Sequence, residues 1–542
     1  MDEKEQKIKI LLSNYDGIKD IESFKCILKY KYGLKFNLFE VTYAICVIDE
    51  MSFPTILILD NECKYPHFAL EEHKIGGVSY RSVCLFETGT LIEYIHSFEE
   101  KIKLCIERLI RLVKMSHNEI VKEYQKEFLV YWNAMCIEKG QYGQYEYSLF
   151  LDDDNHYQWL EQEVFEDKKI RITKCDRFFN DSKYRITVQT APVLFLPIID
   201  PREIIPSIAA KPWGAKEVND IIQGIKYQRI SHSAYEEIKS TEFHKKEIML
   251  IFKLSEYCFG CIVKFLDSRK NSLLNKFDSN ISDVFPVKIF RCDFQYLNNQ
   301  IGNEISEKKI AVIGAGSLGS YISHELAHAG YRKFLIVDSD EYEYANTFRH
   351  RLDCHSNNIS KSKAVAFSLN LIHPEIKAKP IDEYLTEENY DKIIKRNQVD
   401  LIIFTVGSSD VQLRMNKKFI EENISIPIYY AWLEHDGETS HLAIINNYYE
   451  GCFECLYTNG SSELCENTVN KADKSTIRYI KNGCNGTRVP YGNKTLLTAS
   501  AMILKAINDN KQGNWLYSYH NDQIIIEKFP KNSECKCCGV HL

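Results

Sequence analysis

No stretch of this sequence approaches the roughly 18 consecutive apolar residues that a membrane-spanning helix requires. The opening residues, MDEKEQKIKI, are charged and lack the apolar core of a secretory leader. There is no basic excess either: Lys+Arg 68 against Asp+Glu 75 gives a net charge of -7, which excludes the usual electrostatic footprint of a nucleic-acid-binding protein. Internal repeats and low-complexity tracts are absent, and the 33 tyrosines and 28 phenylalanines are scattered rather than gathered into a stacking motif. Without a leader, the 18 cysteines read as thiols, metal ligands and nucleophiles instead of a disulfide framework. The expected location is the cytoplasm, with neither a membrane nor nucleic acid as a direct partner.

What is present is ordinary globular composition, 44% hydrophobic and 26% charged, over 542 residues. That length exceeds one compact core and predicts about three domains. FKCILKY, KFNLFEV, YAICVIDE and PTILILD read as successive short strands. Apolar residues from Ile102 to Val113 recur at spacings of three and four, so residues 99–131 read as helix. An α+β domain over 1–135 is expected, then a middle domain over 136–295 whose pattern suggests no function. From Lys308 the pattern changes: KKIAVIG, SYISHELAHAG, KFLIVDSD, SKAVAFSLNLIHP and VDLIIFTVG alternate strand and helix. This predicts a doubly wound α/β fold over 296–542, a parallel sheet with helices on both faces.

Gly314-Ala315-Gly316-Ser317-Leu318-Gly319 ends a strand and opens a helix, the context of a nucleotide-binding turn. The first glycine suits a tight turn, the second lets backbone approach phosphate, and the third lets helix and strand pack. Asp338 closes the next strand, where a carboxylate can accept from ribose hydroxyls. A dehydrogenase shares these features, but has no need of the Asn346, Arg349 and Lys363 that follow. An adenylating enzyme does, because charge accumulates on the α-phosphate as a carboxylate attacks and pyrophosphate leaves.

DSDEYEYANTFRH resembles the D-x-D…N-x-x-R stretch of the ubiquitin-activating (E1-type) and ThiF/MoeB superfamily. The resemblance implies ATP and Mg²⁺ as cofactors, with Asp338 at the ribose, Asn346 and Arg349 at the triphosphate, and Lys363 at the α-phosphate, Lys361 being its near neighbour. It also implies Mg²⁺ at Asp410 in TVGSSDVQLRMN, although Arg414 and Asn416 follow more tightly than in the family. Many members supply an arginine in trans from the segment before the first strand; here Asn298 and Asn299 stand in Tyr296–Gln300.

Cys452-Phe453-Glu454-Cys455 and Cys535-Lys536-Cys537-Cys538 form two paired thiol knuckles. Four thiolates in this spacing suit a closed, structural Zn²⁺ site of Cys452, Cys455, Cys535 and Cys538, with Cys537 the ambiguity. Between the knuckles a polar stretch leads to Cys484-Asn485-Gly486 and Pro490-Tyr491-Gly492, a pattern that resembles the catalytic-cysteine segment of the superfamily. Lys481 and Arg488 would favour a thiolate at Cys484; Cys465 in the same stretch competes for the role.

KYPHFALEEHKIGGVSYRSVCLFETG, in turn, resembles the active-site stretch of ubiquitin-conjugating (E2-type) enzymes, with Cys84 as acyl acceptor and His67 where those enzymes carry a His-Pro-Asn element. The order conjugating-like domain, middle domain, activating-like domain resembles the fused proteins of bacterial CBASS anti-phage operons. That resemblance implies a protein substrate with a free C-terminal carboxylate, namely the operon's cGAS-like nucleotidyltransferase or a ubiquitin-like protein. It also implies an amine-bearing target and a homodimer formed through the activating-like domain. A sulfur-carrier activator is the alternative, against which the long N-terminal region and Cys84 speak.

Overall fold

The computed structural model describes residues 3–25, 30–59, 65–68, 73–75, 78–86, 92–138, 142, 144–165, 168–174, 185–198, 204–207, 212–225, 236, 242–243, 246–267, 271–272, 280–458, 466–472, 480–481, 487–509, 513–518 and 523–539. The chain divides into two units, Met1–Cys292 and Asp293–Leu542. Among the described residues, no helix is long and apolar enough to cross a membrane.

The first unit begins with α1 (Glu3–Ser13) and a six-stranded antiparallel sheet. Its strands are β1 (Ile18–Ser23), β2 (Tyr32–Leu38), β3 (Val41–Val47), β4 (Thr55–Ile58), β5 (His73–Ile75) and β6 (Val78–Val83), in the order β1-β2-β3-β4-β6-β5. Period-two alternation sends Leu34, Phe36 and Leu38 to one face, where they pack on Ile8 and Leu12 of α1. Ile102, Cys105, Ile106 and Leu109 of α2 (Phe98–Val113) complete that core. Most of FKCILKY lies outside the described residues, and the strand before β2 is Ile18–Ser23.

The helix expected over 99–131 is three helices. Ser97 and Glu100 form a capping box that opens α2, and Ser116 with Glu119 forms a second that opens α3 (His117–Lys126). A serine whose hydroxyl takes the backbone N–H three residues on restarts a helix rather than continuing one. Then α4 (Phe128–Glu138) follows, burying Phe128 and Trp132 in the core of a second sheet.

That second sheet is mixed and eight-stranded. In chain order its region holds β7 (Glu146–Leu149), β8 (Gln158–Phe165), β9 (Lys169–Thr173), β10 (Arg185–Ile198), α5 (Ala215–Ile225), β11 (Glu242–Phe243), β12 (Glu247–Leu254), β13 (Tyr257–Phe265), β14 (Asn271–Ser272), β15 (Ile281–Val287) and β16 (Ile289–Arg291). The sheet order is β15-β13-β12-β10-β8-β9-β7-β16, while β11 and β14 form a separate pair. On β10, Leu194 and Leu196 face the Trp132 and Trp213 side, and Val193 and Phe195 face Tyr147 and Leu160.

The second unit is the expected α/β fold. Its elements are α6 (Phe294–Gln300), β17 (Ser306–Ile313), α7 (Ser317–His328), β18 (Tyr331–Val337), α8 (Lys361–Ile372), β19 (Lys377–Ile381), β20 (Leu401–Phe404), α9 (Ser409–Glu421), β21 (Ile428–Leu433), β22 (Thr439–Ile445), β23 (Ile480–Lys481), β24 (Thr487–Arg488), α10 (Asn493–Asp509), β25 (Gly513–Ser518) and β26 (Gln523–Glu527). The large sheet runs β19-β18-β17-β20-β21-β22-β25-β26. Its first five strands are parallel and its last three pair antiparallel. Ile310 and Val312 join a core with α7, α8 and α10, whereas Ala311 and Ile313 join one with α9 and the knuckle cysteines. Since β17 has β18 on one side and β20 on the other, the crevice past its C-terminal end is the topological switch point where such sheets bind ligands.

Candidate functional site

Each glycine of the turn after β17 has a distinct steric reason. Gly314 takes φ +98°, and a Cβ there would sit 2.9 Å from Val406 Cγ1. A Cβ on Gly319 would come within 1.9 Å of the Gly314 carbonyl oxygen and 2.6 Å of Thr405 Oγ1, so only glycine lets α7 lie this close to β17. Gly316 has nothing within 4 Å of its missing Cβ, which leaves open space where backbone can approach a ligand. It is also the N-cap of α7 and makes no side-chain cap bond, so the helix's first N–H groups are uncapped at an anion-favouring terminus.

A cavity of about 590 Å³ opens over this turn, lined by Gly314, Gly316, Asp338, Asp340, Lys361 and Arg414 among others. That volume lies in the range of small-molecule sites. Asp338 accepts hydrogen bonds from the N–H of Ala315 (2.6 Å) and of Asp340 (2.8 Å). Burial pushes its carboxyl above the usual carboxylate value despite those bonds. Asp340 binds Lys361 Nζ (2.9 Å) and the Tyr384 hydroxyl (2.8 Å). Burial would raise its carboxyl, but these two partners outweigh that and hold it below the usual range.

Arg349 reaches the start of α7, where its Nη1 donates to Ser317 Oγ at 3.0 Å. Its Nε is buried with no hydrogen-bond partner among the described residues. An orphaned guanidinium N–H beside an uncapped helix N-terminus fits a phosphate group. Asn346 is buried on the same 3-10 turn, Tyr344–Arg349. The adjacent His350 has a defined tautomer: Nε2 donates to the Ala315 carbonyl (2.8 Å) and Nδ1 accepts from Leu352 N–H (3.2 Å). Burial pulls its pKa down to about 4.

Four expected side chains are absent from the cavity lining: Asn346, Arg349, Lys363 and Asp410. Lys363 binds Asp382 with its side chain 57% exposed, while Lys361 is 14% exposed and lines the cavity. Both are on α8, where two residues of separation turn a side chain through about 200°, so only one of the pair can face the nucleotide turn. The lysine in position is Lys361. Asp410 likewise lies outside the cavity lining, 78% exposed and ion-paired at 3.1 Å with Arg414, and it is Arg414 that lines the cavity. In α6, Asn298 donates to the Phe294 carbonyl and accepts from Asn303, a buried structural role.

The two knuckles meet. The Sγ atoms of Cys452, Cys455, Cys535 and Cys538 all lie within 4.8 Å of one another, buried, in a cluster that could hold a metal ion. Cys452 and Cys535 are 3.8 Å apart, and Cys455 and Cys538 3.4 Å. A tetrahedron with metal–sulfur bonds of about 2.3 Å has sulfur–sulfur edges of about 3.8 Å, so the thiols suit that geometry. Cys537 is occupied elsewhere: its Sγ accepts from Asn416 Nδ2 at 3.4 Å, and Asn416 Oδ1 accepts from Phe453 N–H.

Cys484 and Cys465 lie outside the described residues. The described residues nearby include a buried clamp. Glu434 is fully buried, bonds to His441 Nε2, and accepts backbone N–H groups of Lys471 (2.8 Å) and Ala472 (2.6 Å). Burial would raise the Glu434 carboxyl, but these bonds outweigh it and hold it below the usual range. Trp432 stacks on His441 and donates to Asn470 Oδ1, and β23 pairs with β24. No sequence motif marks this clamp, because Glu434 and His441 meet only across the β21–β22 turn.

In the first unit, Cys84 is exposed. Its N–H donates to the His67 carbonyl at 2.7 Å, beside a bridge between Phe68 and Val83. The two candidates are thus cross-strand neighbours. His67 has φ +69°, uncommon for a residue with a side chain, and its ring lies between Glu123 and Glu127.

Residues 294–536, in the second unit, match the ThiF family. Over 432 residues, 76% of this chain and 74% of the relative, the chain is 23% identical to the ATP-dependent ubiquitin transferase-like protein Cap2 of Pseudomonas aeruginosa. It is 26% identical over 161 residues to ubiquitin-like modifier-activating enzyme 5 of Drosophila mojavensis, spanning 28% of this chain and 40% of that enzyme. Among solved structures it resembles Escherichia coli MccB with ATP, at TM-score 0.33 and 17% identity over 43% of this chain and 67% of that one.

Proposed function

We infer that the protein is an ATP-dependent activating and conjugating enzyme for a protein C-terminus. The observation that carries this reading is the cavity over the Gly314–Gly319 turn, with Asp338 on one side and the orphaned Arg349 Nε at the α7 terminus. ATP binds there with Mg²⁺. Asp338 holds the ribose, and the α7 N-terminus, Asn346 and Arg349 hold the phosphates. Lys361, not Lys363, steadies the α-phosphate as the substrate carboxylate attacks and pyrophosphate leaves.

Cys484 then displaces AMP as a thioester, Cys84 takes the acyl group, and an amine of a target protein receives it. Residues 1–135 serve as the conjugating domain, 136–295 as a middle domain and 296–542 as the activating domain. Zn²⁺ at Cys452, Cys455, Cys535 and Cys538 braces the fold and takes no part in these steps. The similarity to the ubiquitin transferase-like protein Cap2 over most of both chains favours this over sulfur-carrier activation. The proposed substrate is the C-terminus of the cGAS-like nucleotidyltransferase of a CBASS operon. The enzyme works as a homodimer.

The test supplies purified protein with ATP, Mg²⁺ and the partner protein. Pyrophosphate release and a thiol-labile adduct that Cys484→Ala abolishes, while ATP–pyrophosphate exchange persists, are expected. No pyrophosphate release overturns the proposal.

A further inference from the structure

A second cavity, of about 70 Å³, lies within the first unit and takes no part in the activation and transfer proposed above. A single water needs roughly 10–15 Å³ of such space, so the cavity admits a small head group. Tyr142, Tyr145, Tyr147, Gln162 and Glu247 line it, together with apolar side chains of β9, β12 and β13. Tyr145, just before β7, and Tyr147, within it, are two residues apart and so share a face of the sheet. Their rings stand 6.3 Å apart at 52°. On β8, Gln162 shares a face with Leu160, which packs in one core with Tyr147. Glu247 Oε2 accepts from the Tyr142 hydroxyl at 3.2 Å, and Glu247 has no ion-pair partner among the described residues. The Tyr147 hydroxyl and the Gln162 side-chain amide have no hydrogen-bond partner among the described residues, although Tyr147 is 2% exposed and Gln162 3%. Burial first, and then Tyr142, Tyr145 and Glu247, push the Tyr147 phenol above its usual value, so those groups stand close to an oxygen that stays protonated.

A carboxylate, an amide oxygen and a phenol oxygen make three acceptors among aromatic rings. A primary ammonium carries three N–H donors and no acceptor, so it matches this set, whereas an anion would meet the Glu247 carboxylate. Its charge also suits the rings. The chain's own Lys264 shows that attraction, with Nζ 5.4 Å from the centre of the Tyr142 ring and 4.9 Å from that of Phe285. Lys264 faces Glu247 across the β12–β13 pair but does not line the cavity. We propose that this cavity binds a primary alkylammonium group, with Glu247, Gln162 and Tyr147 accepting its three N–H bonds and the tyrosine rings lying about its charge. The end of a lysine side chain and a free diamine share that chemistry. Lys264, as a neighbouring like charge, opposes binding and limits its strength. The site stands apart from the nucleotide cavity and does not depend on the activating reading.

The test titrates the full chain by ligand-observed NMR, at constant ionic strength held with potassium chloride. The probes are propylammonium, its neutral counterpart 1-propanol, and tetramethylammonium, which has the charge but no N–H. Propylammonium is expected to bind about tenfold more tightly than either, because the bonds to Glu247 are charge-assisted. Glu247→Gln should weaken it about tenfold and Tyr147→Phe, which removes only a hydroxyl, about threefold. Lys264→Met should strengthen it about threefold, a gain that misfolding cannot produce. Nα-acetyl-lysine methylamide and 1,4-diaminobutane then separate the two sources, the tighter ligand naming the one the cavity serves. Propylammonium binding no better than propanol, or unchanged in both Glu247→Gln and Lys264→Met, overturns the site. Equal binding of tetramethylammonium overturns the assignment of the three acceptors.

Discussion

Two glycines three residues apart should respond differently to the same added methyl group. At Gly319 the new Cβ would meet a backbone carbonyl oxygen at 1.9 Å, an atom that cannot rotate away. Overpacking of this kind costs about 1–3 kcal/mol, and the rigid obstacle places Gly319→Ala near the upper end. Alanine's better helix propensity returns about 1 kcal/mol, leaving a net loss of about 2 kcal/mol. For a unit of this size that lowers the melting temperature by about 4–8 °C. Gly316→Ala meets nothing within 4 Å and loses only the N-cap preference of glycine over alanine, about 1 kcal/mol, so it should melt about 2–4 °C below the parent. Its effect falls on the ligand, because the methyl occupies the open approach to the helix terminus, and ATP affinity should fall about tenfold. Differential scanning calorimetry gives the first quantity and titration calorimetry with ATP·Mg²⁺ the second. Equal melting temperatures for Gly319→Ala and the parent, or unimpaired ATP binding by Gly316→Ala, would refute the reasoning.

Lys361→Ala should weaken ATP binding by tenfold or more while Lys363→Ala changes it less than twofold, as read by the same titration. Metal analysis of purified protein should find about one zinc per chain, lost in Cys455→Ser together with several degrees of thermal stability, because a tetrahedral thiolate site needs all four ligands. His350 yields a pH dependence. Its folded pKa of about 4 lies below the ordinary 6.5, so the unfolded chain binds the extra proton more readily between those values. The resulting penalty is absent above about pH 6.5 and grows as pH falls towards 4, reaching about 3 kcal/mol. Protonating Nδ1 would set two donors against each other at Leu352 N–H. Urea titrations from pH 7 to 4.5 should show this slope, and His350→Gln should flatten it; an unchanged slope would remove His350 as its source.

The sequence made the second unit legible because there each local signal has one cause. The three glycines, the strand before them and Asp338 all occur at fixed backbone positions, and backbone geometry repeats. The same holds within each knuckle, whose spacing sets two thiols side by side, while the fold between them brings the two pairs together across 83 residues. Where a choice depended on facing, the sequence was silent. Lys361 and Lys363 differ by two helical positions, Cys537 and Cys538 by one, and only the packed partners Asp382 and Asn416 decide between them. Ser97 and Ser116 each stand three residues before a glutamate, a capping pattern present in the sequence, but the strong period of three and four across 102–113 carries a single-helix reading past the second. The mixed sheet over 146–291 was illegible because its neighbours are remote in sequence: β7 lies between β9 and β16, and β10 pairs with both β8 and β12.

The cysteine cluster fastens positions 83 residues apart, and everything from β23 through β26 belongs to the loop so closed. The residues that line the nucleotide cavity run from Ile313 to Arg414 and Met415, and all precede the first knuckle. Pocket and clasp therefore occupy successive lengths of chain. Were the cluster to hold a metal, stripping it would unfasten the two ends of the span between the knuckles, while the cavity-lining residues kept their own strands and helices. Loss of the clasp and loss of the pocket would then be separable injuries.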